Sequence, residues 1–207
     1  MTRNRTELVF ILDKSGSMAE LEGDTIGGFN AMLKKQQKAE GEAFVTNVLF
    51  DHRYTLLHDR MPIKGVLPMT EKDYEVEGTT ALLDAIGITI QKMIHIQKRT
   101  LVEERSNQIL FVITTDGMEN ASREYTTDQI KKMIEYQKQN DDWNFLFLGA
   151  NIDAISTASQ FGIDEDFAVD YHADSAGTQL NYEAVSEAVI NLRSGKQLDR
   201  TWKVVMN

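Results

Sequence analysis

The chain has 207 residues, and 22 Lys and Arg against 32 Asp and Glu give a formal net charge of 22 − 32 = −10; its basic residues are scattered among more numerous acids, which argues against a nucleic-acid partner. Hydrophobic residues at 42%, charged residues at 26% and only 2 Pro describe a folded chain rather than a low-complexity one. With no Cys there is neither a disulfide framework nor a thiolate metal site, which fits a reducing compartment, and a cytoplasmic location is the expectation.

At this length a single domain is expected over residues 1–207, with its core at about 7–192. The polar stretch Met1 to Thr6 runs into a short apolar segment ending at Asp13 and lacks the form of a signal peptide. No apolar run approaches the roughly 20 residues that span a bilayer, so no membrane partner is expected. Three apolar runs, Leu8 to Leu12, Ile109 to Ile113 and Phe145 to Leu148, show no period-2 alternation and read as strands buried on both faces. Ala43 to Phe50 and Tyr54 to Leu57, separated by Asp51-His52-Arg53, read as a hairpin that supplies one antiparallel edge strand.

Helical spacing is clearest in Leu82, Leu83, Ile86, Ile90, Met93 and Ile94. A second helix is predicted from about Thr127 to Gln139 and a third from Tyr182 to Leu192. The stretch from Gly162 to Gly177 is the loosest, with a strand predicted near Phe167 to Tyr171. Alternating β and α segments imply an α/β fold: a doubly wound, Rossmann-like, mostly parallel sheet with helices on both faces.

Ligands in such sheets collect at the carboxyl ends of the strands, where strand order reverses. The first strand ends in Asp13-Lys14-Ser15-Gly16-Ser17, the central strand in Thr114-Thr115-Asp116-Gly117, and the long helix opens with Gly78-Thr79-Thr80. Carboxylates from Asp13 and Asp116 and hydroxyls from Ser15, Ser17 and Thr80 form an all-oxygen set suited to a hard divalent cation, Mg²⁺ or else Mn²⁺ or Ca²⁺. Asp-x-Ser-x-Ser alone arises by chance in about one chain in twenty of this size. Its placement after a buried strand, beside two matching loops, makes the combined signal strong.

On these residues the chain resembles the von Willebrand factor type A family, whose metal-ion-dependent adhesion site, or MIDAS, reads Asp-x-Ser-x-Ser, then a distant Thr and a distant Asp. Asp13, Ser15 and Ser17 match the first element, Thr80 rather than Thr79 the second, and Asp116 the third; the likeness runs from Glu7 to Leu192. It implies a non-enzymatic protein–protein interaction module in which Ser15 and Ser17 coordinate the cation directly. Asp13, Asp116 and Thr80 would act directly or through water, and an Asp or Glu of the partner would complete the shell. In the family, affinity is tied to movement of the C-terminal helix, here Tyr182 to Leu192. Lacking Cys, a secretion signal and an anchor, the chain is similar to stand-alone intracellular bacterial or phage members. It departs from the pattern at Met118, where an acid is frequent; Glu119 follows one place later, and the charge of the rim is expected to differ.

Two other readings compete. A Mg²⁺-dependent phosphoesterase of haloacid dehalogenase type would use Asp13 as nucleophile, but needs a second acid where Ser15 stands. A structural or assembly protein would use the metal only to stabilise loops. No phosphate loop, dinucleotide fingerprint or nucleophile elbow is present. His52, His58, His95 and His172 lack ligand spacing and carry no assigned role.

Overall fold

The apolar runs become strands because each can bury both of its faces. In the computed structural model, which describes residues 5–206, the strands are β1 (Arg5–Asp13), β2 (Glu42–Phe50), β3 (Tyr54–Pro62), β4 (Gln108–Thr115), β5 (Asn144–Ala150) and β6 (Ala168–Tyr171). Residues 1–4 and 207 of the expected domain, and with them most of the polar N-terminal stretch, lie outside the described residues. The six strands form one sheet in the order β3-β2-β1-β4-β5-β6. All neighbouring pairs are parallel except β2 and β3, the expected antiparallel edge pair.

Among the described residues five α-helices flank the sheet: α1 (Glu22–Lys38), α2 (Leu82–Arg99), α3 (Thr127–Asp141), α4 (Ala154–Gln160) and α5 (Ser175–Arg193). Successive strand residues point to opposite faces, so β1 feeds two cores. Leu8, Phe10 and Leu12 pack with Phe29 and Met32 of α1 and with Val185 and Val189 of α5. Val9 and Ile11 pack with Ile86 and Ile90 of α2, Ile130 and Ile134 of α3 and Ala158 of α4. Among the described residues, no helix is long and apolar enough to cross a membrane.

Three helices, α1, α4 and α5, go beyond the sequence expectations. α5 starts at Ser175, seven residues before Tyr182, because the Asp174 carboxylate accepts from the Gly177 backbone N–H at 2.7 Å and caps the first turn. At its other end Arg193 donates to the carbonyls of Gln36, Ala39, Glu40 and Gly41, where α1 ends. A buried cation there satisfies carbonyls of the last turn of α1 and of the segment just past it.

α1 itself was not marked by sequence periodicity. Its buried positions Thr25, Phe29, Met32, Leu33 and Gln36 share a face, but Gly23, Gly27 and Gly28 dilute the pattern. Gly28 is there for close packing: a Cβ at that position would lie 2.2 Å from Cδ2 of Tyr182 on α5. Gly28→Ala is therefore expected to destabilise the protein by about 1–3 kcal/mol through overpacking. Gly27→Ala, whose Cβ meets nothing within 4 Å, is expected to stabilise by up to about 1 kcal/mol through helix propensity. Thermal melts of the two variants check this opposite pair of signs.

Candidate metal centre

Strand order reverses between β1 and β4: the chain steps outward to β2 and β3 on one side, then to β5 and β6 on the other. The carboxyl ends of β1 and β4 thus open a crevice between diverging loops. Asp13 ends β1 and is 1% exposed. One of its carboxylate oxygens accepts from the Ser15 backbone N–H at 2.7 Å, folding the loop back on itself. The other accepts from the Thr115 hydroxyl at 2.6 Å, tying β1 to β4.

The hydroxyls collect beside this carboxylate. Ser15 Oγ lies 3.2 Å from Ser17 Oγ and accepts from Thr80 Oγ1 at 2.9 Å. Thr80 is buried and Thr79 exposed, so Thr80 is the residue of the pair that joins the cluster. Gly117 brings the β4 loop against the same hydroxyls. A Cβ there would stand 3.1 Å from both Ser17 Oγ and Thr80 Oγ1. Asp116, the preceding residue, is 4% exposed, and Nδ2 of Asn151 donates to its Oδ1 at 2.5 Å.

The electrostatics follow from this crowding. Burial pushes the Asp13 carboxyl above the ordinary carboxylate range, opposed by the bonds from Thr115 and Ser15. Burial likewise pushes Asp116 up; the Asn151 bond opposes it and the charge of Asp13 adds to it. Two desolvated carboxyls thus lie near enough for the charge of one to disfavour the charge of the other. Lys14, next in sequence to Asp13, turns away to Asp51 Oδ2 at 3.3 Å and the Glu75 carbonyl at 3.2 Å. The Tyr171 phenol at the end of β6 is also pushed up, by burial first and then by Asp116 and Asp13.

Residues 66–81 strap the third loop into place. The Tyr74 hydroxyl donates to the Asp13 carbonyl. Gly16 N–H donates to the Gly78 carbonyl at 3.1 Å. Gly78 holds φ at 74°, a conformation glycine adopts freely, and a Cβ there would strike the His52 ring at 2.3 Å. At Gly16 the glycine serves close approach: a Cβ would come within 3.3 Å of the Gly78 carbonyl.

Glu119, the acid one place after Met118, is not a free carboxylate on the rim. Its carboxylate turns inward and accepts from the N–H groups of Leu83, Ala121 and Ser122 and from the Ser122 hydroxyl, at 2.7–2.9 Å. It caps the start of α2, where the first N–H groups lack intrahelical partners. Asn120 clasps Thr80 from the same loop: its Oδ1 accepts from Thr80 N–H at 2.9 Å, while its own N–H donates to the Thr80 carbonyl at 3.0 Å. Met118, 76% exposed, is left at the rim instead.

Sequence reasoning named Asp13, Ser15, Ser17, Thr80 and Asp116, and the fold brings these five to one rim. It assigned no role to Thr115, Asn120 or Asn151, whose contacts join distant loops. Asn151 carried one usable signal: it is a polar residue just past the end of a buried strand beside the crevice. Among the described residues there is no group of three or more His, Asp or Glu side chains arranged to hold a metal. The oxygen set here has two carboxylates, and its other members are hydroxyls.

No family model matches the chain, and no curated protein matches it. Solved structures do. Proximal thread matrix protein 1 from the mussel byssus, in a form with a zinc-occupied MIDAS motif, aligns with a TM-score of 0.62 and 13% identity, over 91% of this chain and 46% of that one. The ArnB paralog VWA2 from Sulfolobus acidocaldarius aligns at 0.57 and 14% identity, over 96% of this chain and 47% of that one. The vWF domain of the type V pili tip protein Mfa5 from Porphyromonas gingivalis aligns at 0.62 and 11% identity, over 95% and 98% of the two chains. The fold is that of von Willebrand factor type A domains. The chain spans about half the length of the first two of these structures. Within the von Willebrand factor type A fold, the crevice between β1 and β4 is where the five oxygen-bearing side chains meet.

Proposed function

We propose that the chain is a non-enzymatic protein–protein interaction module that captures an Asp or Glu of its partner through a divalent cation at a MIDAS. Asp13, Ser15, Ser17, Thr80 and Asp116 would hold the cation. The observation that carries this reading is the pairing of two buried carboxyls, each destabilised as an anion by burial, with three hydroxyls packed beside them. A hard cation suits that donor set, because it relieves both carboxylates while the hydroxyls contribute oxygens without charge. Mg²⁺, Mn²⁺ and Ca²⁺ can each use these oxygens.

When bound, the cation would supply an electrophilic position for an incoming carboxylate. The protein's own residues do the rest. Thr115 and the Ser15 backbone N–H orient Asp13. Asn120 holds Thr80, and Gly16 and Gly117 leave the rim free of side chains around the exposed Ser17. The phosphoesterase reading is disfavoured because Ser15 stands where that chemistry needs a protonated carboxyl, and the Ser15 hydroxyl is engaged by Thr80 and Ser17. The structural likeness to a pili tip protein and a byssal matrix protein supports an interaction role. The cysteine-free sequence supports a reducing location such as the cytoplasm.

The test compares the wild type with Ser15→Ala/Ser17→Ala in capture from lysate. Capture by the wild type is expected in Mg²⁺, with loss in chelator and in the double variant, whose circular dichroism should be unchanged. Capture that persists in chelator contradicts the reading. Phosphatase activity dependent on Asp13 would favour the enzyme instead.

A further inference from the structure

We infer that Asn151 is the positioning residue for Asp116 and sets how tightly the centre holds its cation, an inference that rests on the metal reading above. Asn151 follows β5, the strand next to β4, and is the first residue of the loop that leads into α4. It is exposed, so burial does not force its side chain onto a partner. Its carboxamide nevertheless lies against Asp116 Oδ1 at 2.5 Å.

Its backbone is held to make that contact. Asn151 has φ 53°, in the left-handed region that few non-glycine residues enter and that Asn tolerates. The loop around it is pinned from both ends. The Ala154 N–H donates to Asp170 Oδ1 at 2.7 Å, and a Cβ at Gly149 would stand 2.6 Å from the Ala154 Cβ. The loop therefore delivers the amide to one oxygen of Asp116 and leaves the other without a bond to Asn151.

The charge of the donor matters as much as its position. A neutral amide fixes Asp116 while keeping two carboxylates, Asp13 and Asp116, opposite a divalent ion. A third carboxylate at position 151 would raise the negative charge at the centre, which tightens cation binding and destabilises the cation-free protein. Removing the amide leaves Asp116 without its fixed orientation, and partners of this kind commonly matter to metal affinity.

Mn²⁺ titration calorimetry and thermal melts in chelator test this on the wild type, Asn151→Gly and Asn151→Asp, with Ser15→Ala/Ser17→Ala as control. Gly keeps the positive φ, and Asp keeps the side-chain shape. Asn151→Gly is expected to bind Mn²⁺ about fivefold or more weakly. Asn151→Asp is expected to bind it about fivefold or more tightly while melting at a lower temperature in chelator. A merely structural role would lower stability and affinity together. The inference is overturned if Asn151→Gly weakens binding by less than that, or if Asn151→Asp fails to tighten it; should Asn151→Asp not fold, the Gly variant decides alone. Absence of saturable Mn²⁺ binding by the wild type, or wild-type binding by the serine control, would instead sink the metal reading itself.

Discussion

Asp51→Ala is expected to lower stability by about 3–5 kcal/mol, because it leaves the buried Lys14 ammonium without its countercharge. Asp51 is fully buried and Lys14 is 6% exposed, so water cannot compensate for the loss. The carboxylate also accepts from Arg53 N–H at 2.6 Å and Arg53 Nη2 at 2.7 Å. Arg53, which also pairs with Glu77, is half exposed and contributes less. Burial pushes the Asp51 carboxyl up, but the bonds from Arg53 and the nearby Lys14 outweigh it and hold the group below its ordinary value of 3.8. A depressed carboxyl stabilises the fold above its unfolded value, and that contribution is lost as pH falls through the folded one. Urea denaturation of wild type and Asp51→Asn across pH should therefore show a stability gap at neutral pH that closes below about pH 3.8. A gap independent of pH would contradict the assigned ion pair.

Asp116→Asn is expected to act in two opposite directions. In chelator it should melt at a higher temperature than wild type, because a desolvated carboxylate that the charge of Asp13 further disfavours is replaced by a neutral amide. Each kcal/mol of relief is worth about 2–4 °C for a chain of this size. In Mn²⁺ it should lose calorimetrically detectable binding, having lost one of two charged oxygens. Stability held back at a functional site is a known exchange. A lower melting temperature in chelator would show that Asp116 serves the fold rather than the centre.

The parts of the fold legible in the sequence were those in which one segment carries its own signal. β1, β4 and β5 are continuous apolar runs because both faces are buried, and α2 has a wide apolar stripe, with Leu82, Leu83, Ile86, Ile90 and Met93 all buried. α1 was hidden because Gly28 answers to Tyr182, 154 residues away, and no local pattern reports such a contact. α4, seven residues long, is too short for periodicity to register. The same distinction holds at the candidate centre. Asp13, Ser15, Ser17, Thr80 and Asp116 stood out because their residue types and flanking elements form a pattern. Asn120 and Glu119 did not, because their roles are hydrogen bonds to another loop: Thr80 for one, the start of α2 for the other. Glu119 is the clearest case: the sequence shows an acid one place after Met118, and only the fold shows that four donors engage its carboxylate.

Crystals grown with Mn²⁺ and measured for anomalous scattering test most directly whether these side chains hold an ion together. The account predicts one strong peak in the crevice between β1 and β4, within coordination distance of the Ser15 and Ser17 hydroxyls and flanked by Thr80, Asp13 and Asp116. Saturating Mn²⁺ that leaves this position without a peak, or that places the ion on other residues, would contradict it.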